Sequence, residues 1–266
     1  TVMLVTARPY APMLMSLSRY ETAILNRKAV EEAGADYGSK VAVGCGPYRF
    51  TSWSRGDKVV LERYDEYFGG PAKIDRLVYR GIPEDATRLI ELESGGIDLI
   101  PANFPYAEFV NFQGNKGFKT YTCPAMATNY LGLDVAVKPL DNKLARQAIN
   151  YAVDKQAIVD AVYFGLGMPA RGPLSPVIWG FDPNRGDAYP YNPEKARELL
   201  AEAGLADGFD MTIFCDARTE RTSTAELIQA YLADIGVRAS IELMEWSALL
   251  SETAKGIGGG FLLGWT

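Results

Sequence analysis

The sequence predicts an α/β protein built in two parts. Three observations carry this reading. The opening is rich in β patterning, helical periodicity takes over after an extended segment at 121–128, and the closing third alternates strand, helix, strand, helix, strand. A chain of 266 residues has the length of one large domain or two ordinary ones. We expect residues 1–122 to belong to the first part and 123–266 to the second, with the crossing near 121–128.

In chain order, "PYRFTSW" and "KVVLERY" flank the turn "SRGD", whose Gly56-Asp57 pair predicts a hairpin. "IDRLVYRGI" alternates Leu77 and Tyr79 against Arg76, Val78 and Arg80, so it reads as a third strand stopped by Pro83. "EDATRLIELESG" carries Ala86, Leu89, Ile90 and Glu93 at helical spacing and ends at Gly95. "IDLIPANFP" reads as a short strand closed by prolines.

Beyond the extended segment "KTYTCPAMATNYLGLD", one helix should start from an Asp141 cap, and the next from an Asp154 cap with Gly165 past its end. A Pro/Gly-rich loop, "RGPLSPVIWGFDPNRGDAYPY", separates these from "NPEKARELLAEAG". That helix has Asn192 as cap, Pro193 at the first helical position and Gly204 beyond the end. Then come "MTIFC" (strand), "STAELIQAYLADIG" (helix), "VRASIELM" (strand), "WSALLSETAKG" (helix) and "FLLGW" (strand). Such alternation makes neighbouring strands parallel, and open parallel sheets bind ligands beyond the strands' carboxyl ends. Asp216, the Glu245-Trp246 pair and Gly264-Trp265-Thr266 fall there. Trp265 reads two ways, as a core Trp at a strand end or as a ligand-facing ring.

Composition narrows the chemistry. The chain has no His, which excludes within it a Ser-His-Asp triad, a Cys-His dyad and an HExxH zinc site. Cys45, Cys123 and Cys215 are far apart in sequence and form no CxxC, so they read as three buried small hydrophobes. A net charge of −6 with scattered basic residues argues against an electrostatic grip on nucleic acid or an anionic membrane. No apolar run is long enough to span a bilayer. "GIGGGF" follows a helix and lacks the Gly-Lys-Ser/Thr ending, so it reads as a turn and not a phosphate loop. "RGD" at 185–187 reads as chance, and "DPNRGD" lacks the ligands that complete a calcium loop. Nothing in the sequence singles out a catalytic carboxylate pair.

Several stretches together resemble a known family. "VAVGCGPYRFTSW" is similar to a Val-Gly-Thr-Gly-Pro-Tyr-x-Phe-x-x-Trp signature, with Cys45 in the Thr position. "VVLERYDEYFGGPAKIDRLVYRGIPEDATRLIELESGGIDLI", "KPLDNKLARQAINYAVDKQAIV" with Arg146 and Asp154, "YNPEKARELLAEAG" and the spacing from Glu245-Trp246 to Gly264-Trp265 extend the match along the whole chain. The resemblance is to the family 5 extracellular solute-binding proteins of ABC importers, of the dipeptide/oligopeptide-binding type. It implies a two-lobed periplasmic-binding-protein-like fold, incomplete at both ends, since members run to about twice this length.

The resemblance further implies a short peptide as ligand, no enzymatic activity and no cofactor. It implies permease subunits as partners, a monomeric state, and a periplasmic or extracellular location. Non-peptide solutes of the same fold (oligosaccharide, opine, glutathione or a metal complex) remain the alternative. Trp265, with Gly264 and Thr266, would edge the pocket, and an Asp just beyond Thr266 would take the ligand's ammonium group. Met126, Ala127, Thr128, Asn129 and Tyr130 align with a cleft-lining crossover strand, and Trp246 and Tyr163 complete the candidate set. Tyr163, Thr253 and Leu262 stand where oligopeptide binders can carry basic residues, and Gly259 replaces a usual Asp, which favours a dipeptide or another small solute.

Overall fold

The computed structural model describes residues 3–101 and 104–265. The chain divides into two compact units, Thr1–Pro101 and Ala102–Thr266.

The first unit holds two short helices, α1 (Met13–Leu17) and α2 (Arg27–Ala33), an antiparallel sheet ordered β1-β2-β3, and helix α3 (Asp85–Glu93). The strands are β1 (Tyr48–Ser54), β2 (Lys58–Arg63) and β3 (Arg76–Arg80). The hairpin forms as its turn residues demand, with Gly56 at φ +76° and the Asp57 N–H donating to the Ser54 carbonyl at 3.0 Å. Of the described residues in this unit only Val60, on the middle strand, is buried. Lateral contacts support the sheet instead. Arg63 pairs with Asp65 and Asp75, Arg80 with Glu91, and the Arg49 guanidinium lies 4.0 Å from the Tyr64 ring centroid.

"IDLIPANFP" does not form the expected strand. Residues 97–101, 104 and 105 belong to no ladder, and 102–103 lie outside the described residues. An apolar run becomes a strand only where a partner offers hydrogen bonds, and the prolines at 101 and 105 each remove a donor.

The second unit opens with α4 (Tyr106–Gln113) and then builds a four-stranded mixed sheet ordered β4-β7-β5-β6. Its strands are β4 (Thr128–Leu133), β5 (Asp210–Cys215), β6 (Arg238–Leu243) and β7 (Gly260–Trp265). β5 pairs parallel with both β6 and β7, while β4 runs antiparallel to β7. The expected parallel alternation therefore holds, and β7 is a central strand. Helices α5 (Lys143–Ala152), α6 (Lys155–Val162), α7 (Pro193–Glu202), α8 (Thr219–Asp234) and α9 (Trp246–Lys255) complete the unit.

The core lies between this sheet and its helices. Ile213, Leu232, Val237, Leu262, Ile149 and Leu200 are each at most 2% exposed. Each such side chain contributes roughly 1.5–3 kcal/mol of transfer free energy. Two glycines open the loops that lead into β5 and β6. Gly208 adopts φ +74°, and a Cβ there would collide with the carbonyl of Gly236.

The caps are mostly where the sequence puts them. Asp154 accepts from the Ala157 N–H, Asn192 accepts from the Lys195 N–H with Pro193 at the first helical turn, and Gly204 closes α7 at φ +75°. α5 is the exception, because Asn142, not Asp141, caps it through a 2.9 Å bond from the Leu144 N–H. Two turns, Asp141 N–H to the Val137 carbonyl and Asn142 N–H to the Pro139 carbonyl, leave Asp141 one residue outside the helix. The cysteines also depart from expectation. Cys215 is fully buried on β5, but Cys45 and Cys123 are exposed, since both lie outside the helices and strands that build a core.

Candidate functional site

The carboxyl ends of β5, β6 and β7 and the amino end of β4 meet at one end of the second unit's sheet. Register fixes this, with Thr128 opposite Trp265 and Asn129 opposite Gly264. Because side chains alternate along a strand, Asn129 and Gly264 share one face, and Thr128, Tyr130 and Trp265 share the other.

Asp216 follows β5 directly and is 5% exposed. Its Oδ1 accepts from the Arg218 backbone N–H at 3.0 Å and from Arg218 Nε at 2.8 Å, and its Oδ2 accepts from Arg218 Nη2 at 2.6 Å. Burial alone would raise this carboxyl's pKa, but the Arg218 side chain, the Arg218 backbone N–H and the charges of Arg218 and Arg221 outweigh burial and hold it below the ordinary value. The forked pairing orients Arg218 and leaves about half of its side chain in solvent (51%). The Arg218 guanidinium also lies 5.2 Å from the Trp246 ring centroid, and its Nη1 is 3.8 Å from Glu220.

Close by, on α8, buried Arg221 (6% exposed) donates from Nη2 to Asn129 Oδ1 at 3.2 Å. Asn129 Nδ2 donates in turn to the Tyr163 hydroxyl at 3.3 Å. Tyr163 meets the ring of Tyr106 edge-on, with centroids 5.1 Å apart. Burial first, and then the neighbouring Tyr163 and Glu220, push the Tyr106 hydroxyl above its usual pKa.

The sequence-predicted residues separate clearly. Asn129, Tyr163 and Gly264 gather at buried Arg221, and Trp246 stands beside Arg218. Trp265 is 75% exposed among the described residues. Thr266 lies outside the described residues. Met126 and Ala127 are exposed on the approach to β4, where the Ala125 carbonyl accepts from buried Ser175 Oγ at 2.6 Å. Tyr130 packs edge-on against Phe261 one step down the sheet. Glu245 is a helix cap, accepting from the N–H groups of Ser247 (2.7 Å) and Ala248 (3.2 Å). Of the positions noted for missing basic residues, Leu262 belongs to the core and Thr253 bonds carbonyls of its own helix.

Sequence reasoning missed Arg218, Arg221 and Tyr106. A signal for Arg221 existed, since Arg221, Ala225, Ile228 and Leu232 form one helical stripe and all are buried. An Arg at the head of an apolar stripe asks for a buried polar partner. Among the described residues no cluster of three or more acidic or sulfur side chains could hold a metal ion, and no helix is long and apolar enough to cross a membrane.

An α/β unit whose polar and aromatic side chains gather at the ends of parallel strands has the form of a solute-binding module, and comparison with known proteins agrees. The chain belongs to the bacterial extracellular solute-binding proteins, family 5 Middle, which it matches over residues 1–266. It is 32% identical to the dipeptide-binding protein of Escherichia coli K12, across 100% of this chain and 51% of that protein. It is 32% identical to the glutathione-binding protein GsiB of Salmonella paratyphi A, across 92% of this chain and 48% of that one. Among solved structures, the periplasmic binding protein DppA of Helicobacter pylori, in complex with the peptide STSA, matches with a TM-score of 0.83 and 31% identity, over 97% of this chain and 51% of that chain. The chain thus spans about half the length of these relatives.

Proposed function

We propose that the full-length protein is the substrate-binding component of an ABC importer and captures a short, dipeptide-like peptide for delivery to membrane permease subunits. The observation that carries this reading is the arrangement at the strand ends. Arg218 is oriented by a buried carboxylate and backed by an aromatic ring, yet exposes half its side chain, so it can meet a ligand carboxylate without paying to be positioned. An extended peptide can add main-chain hydrogen bonds along β4 and its approach, residues 126–130. Trp265 and Trp246 offer rings to the ligand, and an acidic group beyond Thr266 is our candidate for its ammonium end.

The names of the E. coli and H. pylori relatives support the peptide class. We place the crossing between lobes near 121–128, assign hinge closure of the lobes as the working motion, and expect a monomer outside the cytoplasmic membrane that carries out no covalent chemistry. A second reading, a non-peptide or glutathione-type solute, is favoured by the GsiB likeness and the exposed tryptophans. Calorimetric titration of the full-length protein with dipeptides, tetrapeptides and glutathione separates the two. Tightest binding of dipeptides supports our reading, and binding of glutathione alone replaces it.

A further inference from the structure

We infer that Arg221, Asn129 and Gly264 form a positioning relay that turns the Tyr163 hydroxyl into a hydrogen-bond donor aimed at the ligand, so that the site selects solutes presenting a carboxylate there. The inference rests on the peptide reading above. The chemistry of the groups fixes the direction of each hydrogen bond. A guanidinium has donors and no acceptor, so the Asn129 atom facing Arg221 Nη2 at 3.2 Å must be Oδ1. Asn129 Nδ2 then faces Tyr163 Oη at 3.3 Å, and an amide nitrogen only donates. Tyr163 must therefore accept from Asn129, and its own proton is left to point elsewhere. Among the described residues the hydroxyl donates to no acceptor, so its proton is available to a ligand carboxylate.

Two further features are hard to explain as mere packing. A buried cation in the first turn of α8 sits at the positive end of the helix dipole, where charge of that sign is disfavoured. It occupies the first position of an otherwise apolar stripe, where an aliphatic residue would pack at less cost. Gly264 completes the relay by being small. A Cβ there would stand 2.6 Å from Asn129 Oδ1 and 3.0 Å from Arg221 Nη2, so the cross-strand pair of Asn129 and Gly264 leaves the space that the amide and guanidinium fill.

The test uses the full-length protein and two probes, the dipeptide Ala-Leu and its C-terminal amide. Tyr163→Phe should weaken Ala-Leu binding about tenfold and the amide much less, because a hydrogen bond to a charged acceptor is the stronger. Asn129→Asp should keep the thermal midpoint, since the new carboxylate pairs with Arg221. It should nevertheless cost Ala-Leu affinity about tenfold by drawing the Tyr163 proton inward. In a Tyr163→Phe background the same Asn129→Asp change should cost less than about threefold. Equal costs of Asn129→Asp in both backgrounds would mean simple charge repulsion and overturn the relay, as would Tyr163→Phe binding Ala-Leu like the wild type. A wild-type protein that binds neither probe overturns the peptide reading and the relay together.

Discussion

The two units of the chain are stabilised differently. In the first, an antiparallel sheet and three helices bury one described residue, Val60. Its other contacts among the described residues are hairpin hydrogen bonds and ion pairs at the surface, and exposed pairs are individually worth about 0–1 kcal/mol. In the second, four strands and their helices enclose a core running from Leu140 to Leu262. The candidate site belongs to the second unit, and its polar side chains stand on elements whose opposite ends are locked in that core. Asn129 and Tyr163 are held from β4 and from just past α6, and Arg221 from α8. A binding site needs such support, because side chains on loosely held elements lose the geometry that gives selectivity.

Substitutions that probe burial should separate the units most. Ile213→Ala in the second unit should cost about 2–5 kcal/mol, as a fully buried large-to-small change does. Val60→Ala in the first should cost less than half of that, as read from urea denaturation followed by circular dichroism. Equal costs would break the comparison.

Next in size is Asp216→Asn, which leaves the oriented Arg218 without its partner and should cost about 1–3 kcal/mol. The effect depends on pH with a definite sign. The folded carboxyl has a lowered pKa, so in acid the unfolded chain binds more protons than the folded one. Its contribution is present above the unfolded-state value and is lost as pH falls through the folded value. Asp216→Asn should flatten stability in that acidic window. Glu21 in the first unit is also lowered, chiefly by its bond to Arg19, but the pair is exposed and only two residues apart, so Glu21→Gln should change the same profile in the same direction and far less. A matching loss for both would contradict the contrast.

Helix caps sharpen it further. Asn192→Ala should cost about 1 kcal/mol of global stability, because α7 packs Ala196, Leu199 and Leu200 into the core. Asn26→Ala removes an equivalent bond from α2, which buries nothing, so amide exchange should report local fraying with an unchanged denaturation midpoint. The smallest effect belongs to Arg27→Ala, which removes an exposed i,i+4 pair with Glu31 worth about 0.3 kcal/mol.

Local signals explain how much of this was legible in the sequence. Gly56, Asp154, Asn192 and Gly204 act within a few residues of themselves, and the structure places each as read. The alternation after residue 209 led correctly to β5 pairing parallel with both β6 and β7. The polar relay was not legible, because Arg221 lies 92 residues from Asn129 and Tyr163 lies 34 away. No local pattern reports such a meeting. The misplaced strand at 97–105 and the exposed Cys45 and Cys123 share one cause. Each was judged by its own apolar character, and burial depends on what else arrives to cover it.

The central claim is that the full-length protein carries a short peptide. Its most direct test is native mass spectrometry of that protein recovered from its own host, followed by fragmentation of whatever it releases. The account predicts a mixture of short peptides dominated by dipeptides, with free carboxyl ends. A single non-peptide mass would contradict it, leaving the family membership intact and moving the search for a ligand to Trp246 and Trp265.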